Sequence, residues 1–354
     1  MLLQGCKPGF EEALARELAG MGHVATTRGR GWLVSTGDPV AETALVEDAG
    51  ADLCFATFTA AAPAWLEAPS VNALTGALRD WFAAAFRTVR VGDAGWPAVF
   101  LAAPEIEGLG GRVRVFRDAW LAGMAPRMGR VFRLVRTEDV APMAPGTGLL
   151  AYFTEFNHLH AATRFRGWGQ RRMRDDPQAP SRSYLKIEEA FLIMGREPGR
   201  GETVTDLGAA PGGWSYAAAQ RGAQVTAVDN GPLKAGAANH PLIEHLKADA
   251  FQHRPEGEHG CDWLFCDMIE EPRRVLGEIL LPWLDHGWCR RFVVNFKVGH
   301  GDPVALIERL RDPRHGLAAR CATLRLRQLH HDREEITAMG ELGFPCKQHN
   351  GDGR

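Results

Sequence analysis

One stretch restricts the fold of this chain more than any other: Thr203-Val204-Thr205-Asp206-Leu207 followed by Gly208-Ala209-Ala210-Pro211-Gly212-Gly213-Trp214. An apolar strand runs here into a small-residue turn that opens a helix. Backbone amides at such a turn can approach a nucleotide-like ligand closely, and the helix N-terminus adds free donors. The turn lacks the G-x-G-x-x-G spacing of a dinucleotide site and the lysine of a phosphate-cradling loop. From Pro180 onward, strands and helices alternate. Thr203–Leu207, Gln224–Val228, Trp263–Cys266, Phe292–Phe296 and Thr323–Leu329 read as strands. The pattern predicts an α/β fold with a doubly wound, mostly parallel sheet and helices on both faces.

A length of 354 residues leaves room for two or three domains. Residues 1–65 read as a small α+β module: a strand over Met1–Cys6, a helix over Pro8–Met21 and a strand at Trp32–Ser35. Residues 66–175 hold a helix around Val71–Phe86 and a run of short arginine-rich strands, and residues 176–354 form the α/β domain. The stretch Asp175-Asp176-Pro177-Gln178-Ala179-Pro180 reads as the linker. Net charge is −2, so attraction to a polyanion must come from local patches. Seven cysteines without a C-x-x-C pair suit a reduced, cytoplasmic chain. Neither Cys261 and Cys266 nor His330-His331 has metal-ligand spacing, so no metal is expected. A leader peptide and an apolar span of about 18 residues are both missing, which predicts neither export nor membrane insertion.

In a doubly wound sheet the ligand lies across the C-terminal ends of the strands. Asp229 ends the Val225–Val228 strand and suits a ligand's ribose hydroxyls, although a turn before Asn230-Gly231 would also use it. Asp249, in Lys247-Ala248-Asp249-Ala250-Phe251, can serve as a helix N-cap. Asp267 closes the Trp263–Cys266 strand, and Lys297 ends Phe292–Phe296. Six lysines stand against thirty-five arginines. Where arginine is the default cation, Lys186 and Lys297, set in apolar elements, suggest a task that guanidinium cannot perform, such as losing a proton.

The Asp-Leu-Gly-Ala-Ala-Pro-Gly-Gly-Trp turn resembles motif I of S-adenosylmethionine-dependent methyltransferases, in the form seen in RNA ribose 2′-O-methyltransferases of the FtsJ type. Those enzymes use a lysine, aspartate, lysine, glutamate tetrad, and this sequence supplies Lys186, Asp267, Lys297 and a carboxylate in Arg333-Glu334-Glu335-Ile336-Thr337. The family's pattern favours Glu335, with Glu334 as the alternative. Within the family, residues 179–340 look similar to bacterial enzymes that modify a cytidine ribose in large-subunit (23S) ribosomal RNA. The matching stretches are Ala179–Ser183, Glu188–Phe191, Val228–Pro232, Cys266-Asp267-Met268 and His331–Glu335. The first 20 residues, with Cys6-Lys7-Pro8-Gly9-Phe10-Glu11, are similar too. The resemblance implies a Rossmann-like class I methyltransferase domain that binds S-adenosylmethionine and releases S-adenosylhomocysteine. Ser183, Ala210, Pro211, Gly212, Gly213, Asp229, Asp249 and Asp267 would line the cofactor. A THUMP-like RNA-binding region would occupy residues 66–175.

The implied reaction is an in-line attack of a ribose 2′-oxygen on the sulfonium methyl, which needs a base. Lys297 is the expected proton acceptor, with a pKa lowered by the second ammonium and by burial. Asp267 and Lys186 would orient it, and Glu335 would position Lys186. Between Arg112 and Arg174, twelve arginines face four acidic residues, and Arg164-Phe165-Arg166-Gly167-Trp168-Gly169-Gln170-Arg171-Arg172-Met173-Arg174 interleaves aromatics that could stack on unpaired bases. The expected partner is ribosomal RNA, naked or in an early particle, with no membrane or metal and a monomeric chain. The competing readings are a nicotinamide oxidoreductase, disfavoured by the missing glycine spacing, and a non-catalytic RNA-binding or assembly protein that keeps the fold.

Overall fold

The computed structural model describes residues 1–48, 50–88, 95–255 and 260–343, and only the backbone of Arg130. Cys346, Lys347 and the end of the 176–354 domain lie outside the described residues. The chain forms two compact units, Met1–Gly169 and Gln170–Arg354. No helix among the described residues is long and apolar enough to cross a membrane.

In the first unit the strands are β1 (Leu2–Cys6), β2 (Val24–Gly29), β3 (Trp32–Thr36), β4 (Ala56–Ala61), β5 (Ala64–Glu67), β6 (Trp96–Ala102), β7 (Val135–Glu138), β8 (Gly146–Phe153) and β9 (His158–Gly167). They make one sheet in the order β2-β3-β1-β4-β9-β8-β6-β7, with β5 paired to β9. The helices expected at Pro8–Met21 and Val71–Phe86 run over Glu11–Ala19 and Val71–Ala85. The separation expected at residue 65/66 does not exist. β4 and β5 both pair with β9, and one core joins Leu3, Trp32 and Phe58 to Phe82, Trp96, Trp120 and Phe153. Local patterning cannot show a pairing between strands about a hundred residues apart, so two halves of one sheet read as two modules.

The arginine-rich stretch also differs from expectation. Where short strands were expected, residues Leu109–Met124 form a helix. Phe165 and Trp168 are both 1 % exposed, and Arg166 lies over the Trp168 ring at 4.3 Å while donating to the Asp48 carbonyl at 2.6 Å. Arg164 pairs with Glu47. Phe165 packs into the core from β9, and Trp168, just past the strand, is also buried, with its indole N–H donating to Thr59 Oγ1 at 3.0 Å, so neither ring can stack on RNA bases.

In the second unit the strands are β10 (Thr203–Leu207), β11 (Gln224–Val228), β12 (Ile243–Leu246), β13 (Cys261–Cys266), β14 (Cys289–Lys297), β15 (Cys321–Arg327) and β16 (Glu335–Leu342). Their order is β12-β11-β10-β13-β14-β16-β15. The first five strands in that order are parallel, while β16 runs antiparallel between β14 and β15. This is the doubly wound α/β sheet that the alternation predicts, with β12 and β16 added. β13 and β14 are nearly continuous apolar runs, as strands buried on both faces must be. Because β11 and β12 extend to one side of β10 and β13 and β14 to the other, strand order reverses between β10 and β13. In sheets of this kind the ligand crevice lies beyond the C-terminal ends of those two strands.

Asp175 and Asp176 belong to this unit and do not form a loose linker. Tyr184 Oη donates to the Arg174 carbonyl at 2.9 Å, and Tyr216 Oη to Asp176 Oδ2 at 3.0 Å. Two buried tyrosine hydroxyls need acceptors, and this segment supplies them.

Candidate active site

β10 delivers Asp206 and Leu207 to the crevice, and the chain then turns through Gly208 and Gly212 into the helix Gly213–Gln220. Gly208 and Gly212 adopt φ of 74° and 103°, backbone that L-residues rarely tolerate. A Cβ on Gly212 would stand 2.6 Å from the Ala237 Cβ, and one on Gly213 would stand 2.8 Å and 2.9 Å from the Ser181 and Ser183 hydroxyls. The turn is therefore closed to side chains on both flanks and forms a cradle whose amides at Gly208, Ala209, Ala210 and Gly212 bond inward, with the Ser181 and Ser183 hydroxyls, 2.7 Å apart, at its side. Asp229, at the end of β11, bridges two loops: Oδ2 accepts from Ala210 N at 3.0 Å and Oδ1 from Gly231 N at 2.7 Å. Both of its sequence readings are thus compatible, since it makes the turn and stands at the cradle. Asp249 is exposed and accepts from Phe251 N at 2.9 Å within a turn; no helix begins there, so it is not the helix N-cap of its alternative reading.

Beneath this turn, Asp206 is completely buried and accepts from Ser215 Oγ at 2.6 Å. Burial, together with Asp267 and Asp229, raises its carboxyl to about 7 against the effect of the serine hydroxyl.

The four tetrad candidates converge from four elements. Lys186 is the third residue of the helix Tyr184–Met194, a poor place for a cation because the helix dipole is positive there. Asp267 follows the last residue of β13, Lys297 ends β14 and Glu335 begins β16, where it stands directly opposite Lys297. Lys186 Nζ lies 2.6 Å from Glu335 Oε2 and 3.4 Å from Asp267 Oδ1. Lys297 Nζ donates to Asp267 Oδ1, to Glu335 Oε1 at 2.9 Å and to Asn295 Oδ1 at 3.2 Å. Glu334 is exposed, and its carbonyl accepts from Val298 N at 2.9 Å. The antiparallel register therefore brings Glu335, and not Glu334, to the lysines.

The electrostatics correct one expectation. Burial pulls the Lys297 ammonium down, but Asp267 and Glu335 outweigh it and leave Lys297 above the ordinary lysine value. Burial likewise pushes Glu335 up, and the two ammonium groups hold it below its usual value. Two cations and two anions make a neutral, partly buried cluster in which Lys297 keeps its proton. The neighbouring ammonium does not overcome two carboxylates.

Two further groups escaped sequence reasoning. Glu189, on the Lys186 helix, is fully buried and accepts from Arg171 N at 3.1 Å, His330 N at 2.7 Å and His331 N at 3.3 Å. It ties the basic segment and the approach to Glu335 onto that helix. Asn295, Asp332 and Thr337 form a buried polar set behind Lys297. A lone asparagine within Phe292-Val293-Val294-Asn295-Phe296 was the available signal.

Residues 179–280 match the family model of the FtsJ-like methyltransferases. Over 175 residues the chain is 46 % identical to the Ribosomal RNA large subunit methyltransferase M of Laribacter hongkongensis (strain HLHK9), covering 47 % of this chain and 49 % of that protein. The protein of the same name from Xylella fastidiosa (strain M12) is 43 % identical over 171 residues, 46 % of this chain and 47 % of that protein. The Halorhodospira halophila (strain DSM 244 / SL1) protein of that name is 40 % identical over 199 residues, 54 % of this chain and 57 % of that one. The chain thus spans about half the length of the curated relatives it matches.

Proposed function

We propose that this chain transfers a methyl group from S-adenosylmethionine to a ribose 2′-hydroxyl of large-subunit ribosomal RNA, with a cytidine as acceptor, in the cytoplasm. The observation that carries this reading is the mutual contact of Lys186, Asp267, Lys297 and Glu335 at the crevice where strand order reverses. The bound cofactor supplies an electrophilic methyl on a cationic sulfonium. Asp229, the Ala210–Gly213 backbone and the Ser183 hydroxyl are the groups that would hold it, and Asp249 is a candidate for its adenine. Once Lys297 has given up its own proton to solvent, its Nζ takes the 2′-hydroxyl proton, Asp267 and Lys186 orient it, and Glu335 holds both lysines in place. A cation added to a neutral cluster lowers the cost of losing the Lys297 proton. Alignment of the reacting atoms supplies much of the remaining rate.

Calorimetric titration tests the cofactor half of this reading. S-Adenosylhomocysteine should bind and NAD should not, and Asp229→Ala should weaken the binding by about 1–3 kcal/mol, the range for unpaired polar partners. NAD binding with no response to S-adenosylhomocysteine would remove the methyltransferase reading. Incubation with unmodified large-subunit ribosomal RNA and S-adenosylmethionine should then yield a 2′-O-methylated cytidine. Binding without methyl transfer would leave only a non-catalytic RNA-binding role.

The RNA-binding role of residues 66–175, as a THUMP-like region, belongs to the same proposal. Exposed Arg114, Arg127, Arg133 and Arg136 support it in the first unit. In the second unit, exposed Arg172 and Arg174 lie on the segment that Glu189 and His331 hold, Met173 N donating to His331 Nε2 at 2.9 Å. Charge reversal at Arg172 and Arg174 should weaken RNA binding and reduce its salt slope by about 0.7–0.9 per lost phosphate contact. Affinity for S-adenosylhomocysteine should not change. An unaltered salt slope would mark these arginines as ordinary solvated surface.

A further inference from the structure

Asn295 interrupts the apolar strand β14 and is completely buried. Two residues before Lys297, it projects from the same face of the strand. Thr337 stands opposite it on β16, as Glu335 stands opposite Lys297. Its Nδ2 donates to Asp332 Oδ1 at 2.9 Å and to Thr337 Oγ1 at 3.1 Å, while its Oδ1 accepts from Lys297 Nζ at 3.2 Å. Thr337 Oγ1 in turn donates to Asp332 Oδ2 at 3.1 Å, and that oxygen also accepts from Leu329 N at 2.9 Å. Asp332 therefore meets Asn295 as an acceptor and fixes which way the amide faces. A flipped amide would set oxygen against oxygen at Asp332 and N–H against the Lys297 ammonium.

Resting on the methyltransferase reading above, we propose that Asn295 is a positioning residue for Lys297, locked by Asp332 and Thr337 so that its amide oxygen holds one N–H of the amine and fixes the rotation of Nζ when another proton departs. An ammonium has three N–H groups, and Lys297 places them on Asp267, Glu335 and Asn295. Of these three partners only Asn295 is neutral. A neutral acceptor fixes the rotation of Nζ without adding a third negative charge that would keep the proton on. The titratable groups around Lys297 are Cys266 and Asp267 from β13, Glu335 from β16, Lys186 from its helix, Asp206 from β10 and, behind Asn295, Asp332.

Single-turnover methylation of unmodified large-subunit ribosomal RNA by the full chain, followed across pH, tests the proposal. Asn295→Ala should lower the rate about 10²-fold at neutral pH, the scale of a misplaced catalytic group. The apparent pKa of the rate should move down, because the ammonium has lost an acceptor. Affinities for S-adenosylhomocysteine and RNA should stay unchanged. Thr337→Val should act in the same direction more weakly, and Thr337→Ser should recover the rate that Thr337→Val loses. If Asn295→Ala does not fold, the two Thr337 variants carry the same comparison. An unchanged rate and pH profile would overturn the proposal. So would rate, cofactor affinity and melting temperature falling together with an unmoved profile, since that describes a structural residue. A wild-type chain that binds S-adenosylhomocysteine but methylates nothing would overturn the functional reading itself, and this inference with it.

Discussion

Lys297→Arg should lose methyl transfer as severely as Lys297→Ala, about 10²–10⁴-fold, the usual contribution of a positioned base. If Lys297 only neutralised charge, arginine would serve, and this chain otherwise prefers arginine. A guanidinium cannot give up its proton at neutral pH. In the neutral cluster described above, Asp267 and Glu335 keep Lys297 protonated against the effect of burial. The wild-type single-turnover rate should therefore rise with pH as Lys297 deprotonates, and that rise should vanish in both variants. S-Adenosylhomocysteine and RNA should bind all three proteins alike. Near-native turnover by Lys297→Arg would exclude the base and leave Lys297 as an electrostatic clamp.

Glu189→Ala should destabilise the second unit by about 3–5 kcal/mol in equilibrium denaturation. The substitution strips the acceptor from three backbone N–H groups, at Arg171, His330 and His331, and each unpaired buried donor costs about 1–3 kcal/mol. Glu189→Gln should retain most of the stability. Burial raises the Glu189 carboxyl from 4.5 to about 8, against the pull of the His330 and Arg171 N–H groups, with Asp332 adding to the rise. The acid is thus largely protonated at neutral pH, and a glutamine reproduces its shape. One oxygen, Oε1, already serves both Arg171 and His330.

The raised carboxyl also sets the sign of a pH dependence. Its stabilisation is complete below pH 4.5, where both folded and unfolded chains are protonated. It declines as pH rises toward about 8, because only the unfolded chain gives up the proton in that window. Glu189→Gln should flatten that decline. A wild-type stability that rises between pH 5 and 8, with no difference in slope from Glu189→Gln, would show Glu189 to be ionised in the fold.

What was legible in the sequence lay where short-range rules suffice. The strand-turn-helix at Asp206–Gly213 needs glycine for its backbone and small residues for its flanks. The ends of β13 and β14 place Asp267 and Lys297 at the crevice whatever the rest of the chain does. Lysine scarcity singled out Lys186 and Lys297 for the same local reason. The tertiary structure decided the rest, because each remaining feature rests on a pairing between distant segments. Antiparallel pairing of β14 with β16 selected Glu335 over Glu334, set Thr337 against Asn295, and surrounded Lys297 with carboxylates that reverse the expected direction of its pKa. Pairing of β4 and β5 with β9 fused two apparent modules into one sheet and buried Phe165. Residue type and spacing determine which groups a turn or strand end can present, whereas the register between strands determines which charge each group meets, and hence whether a lysine keeps its proton.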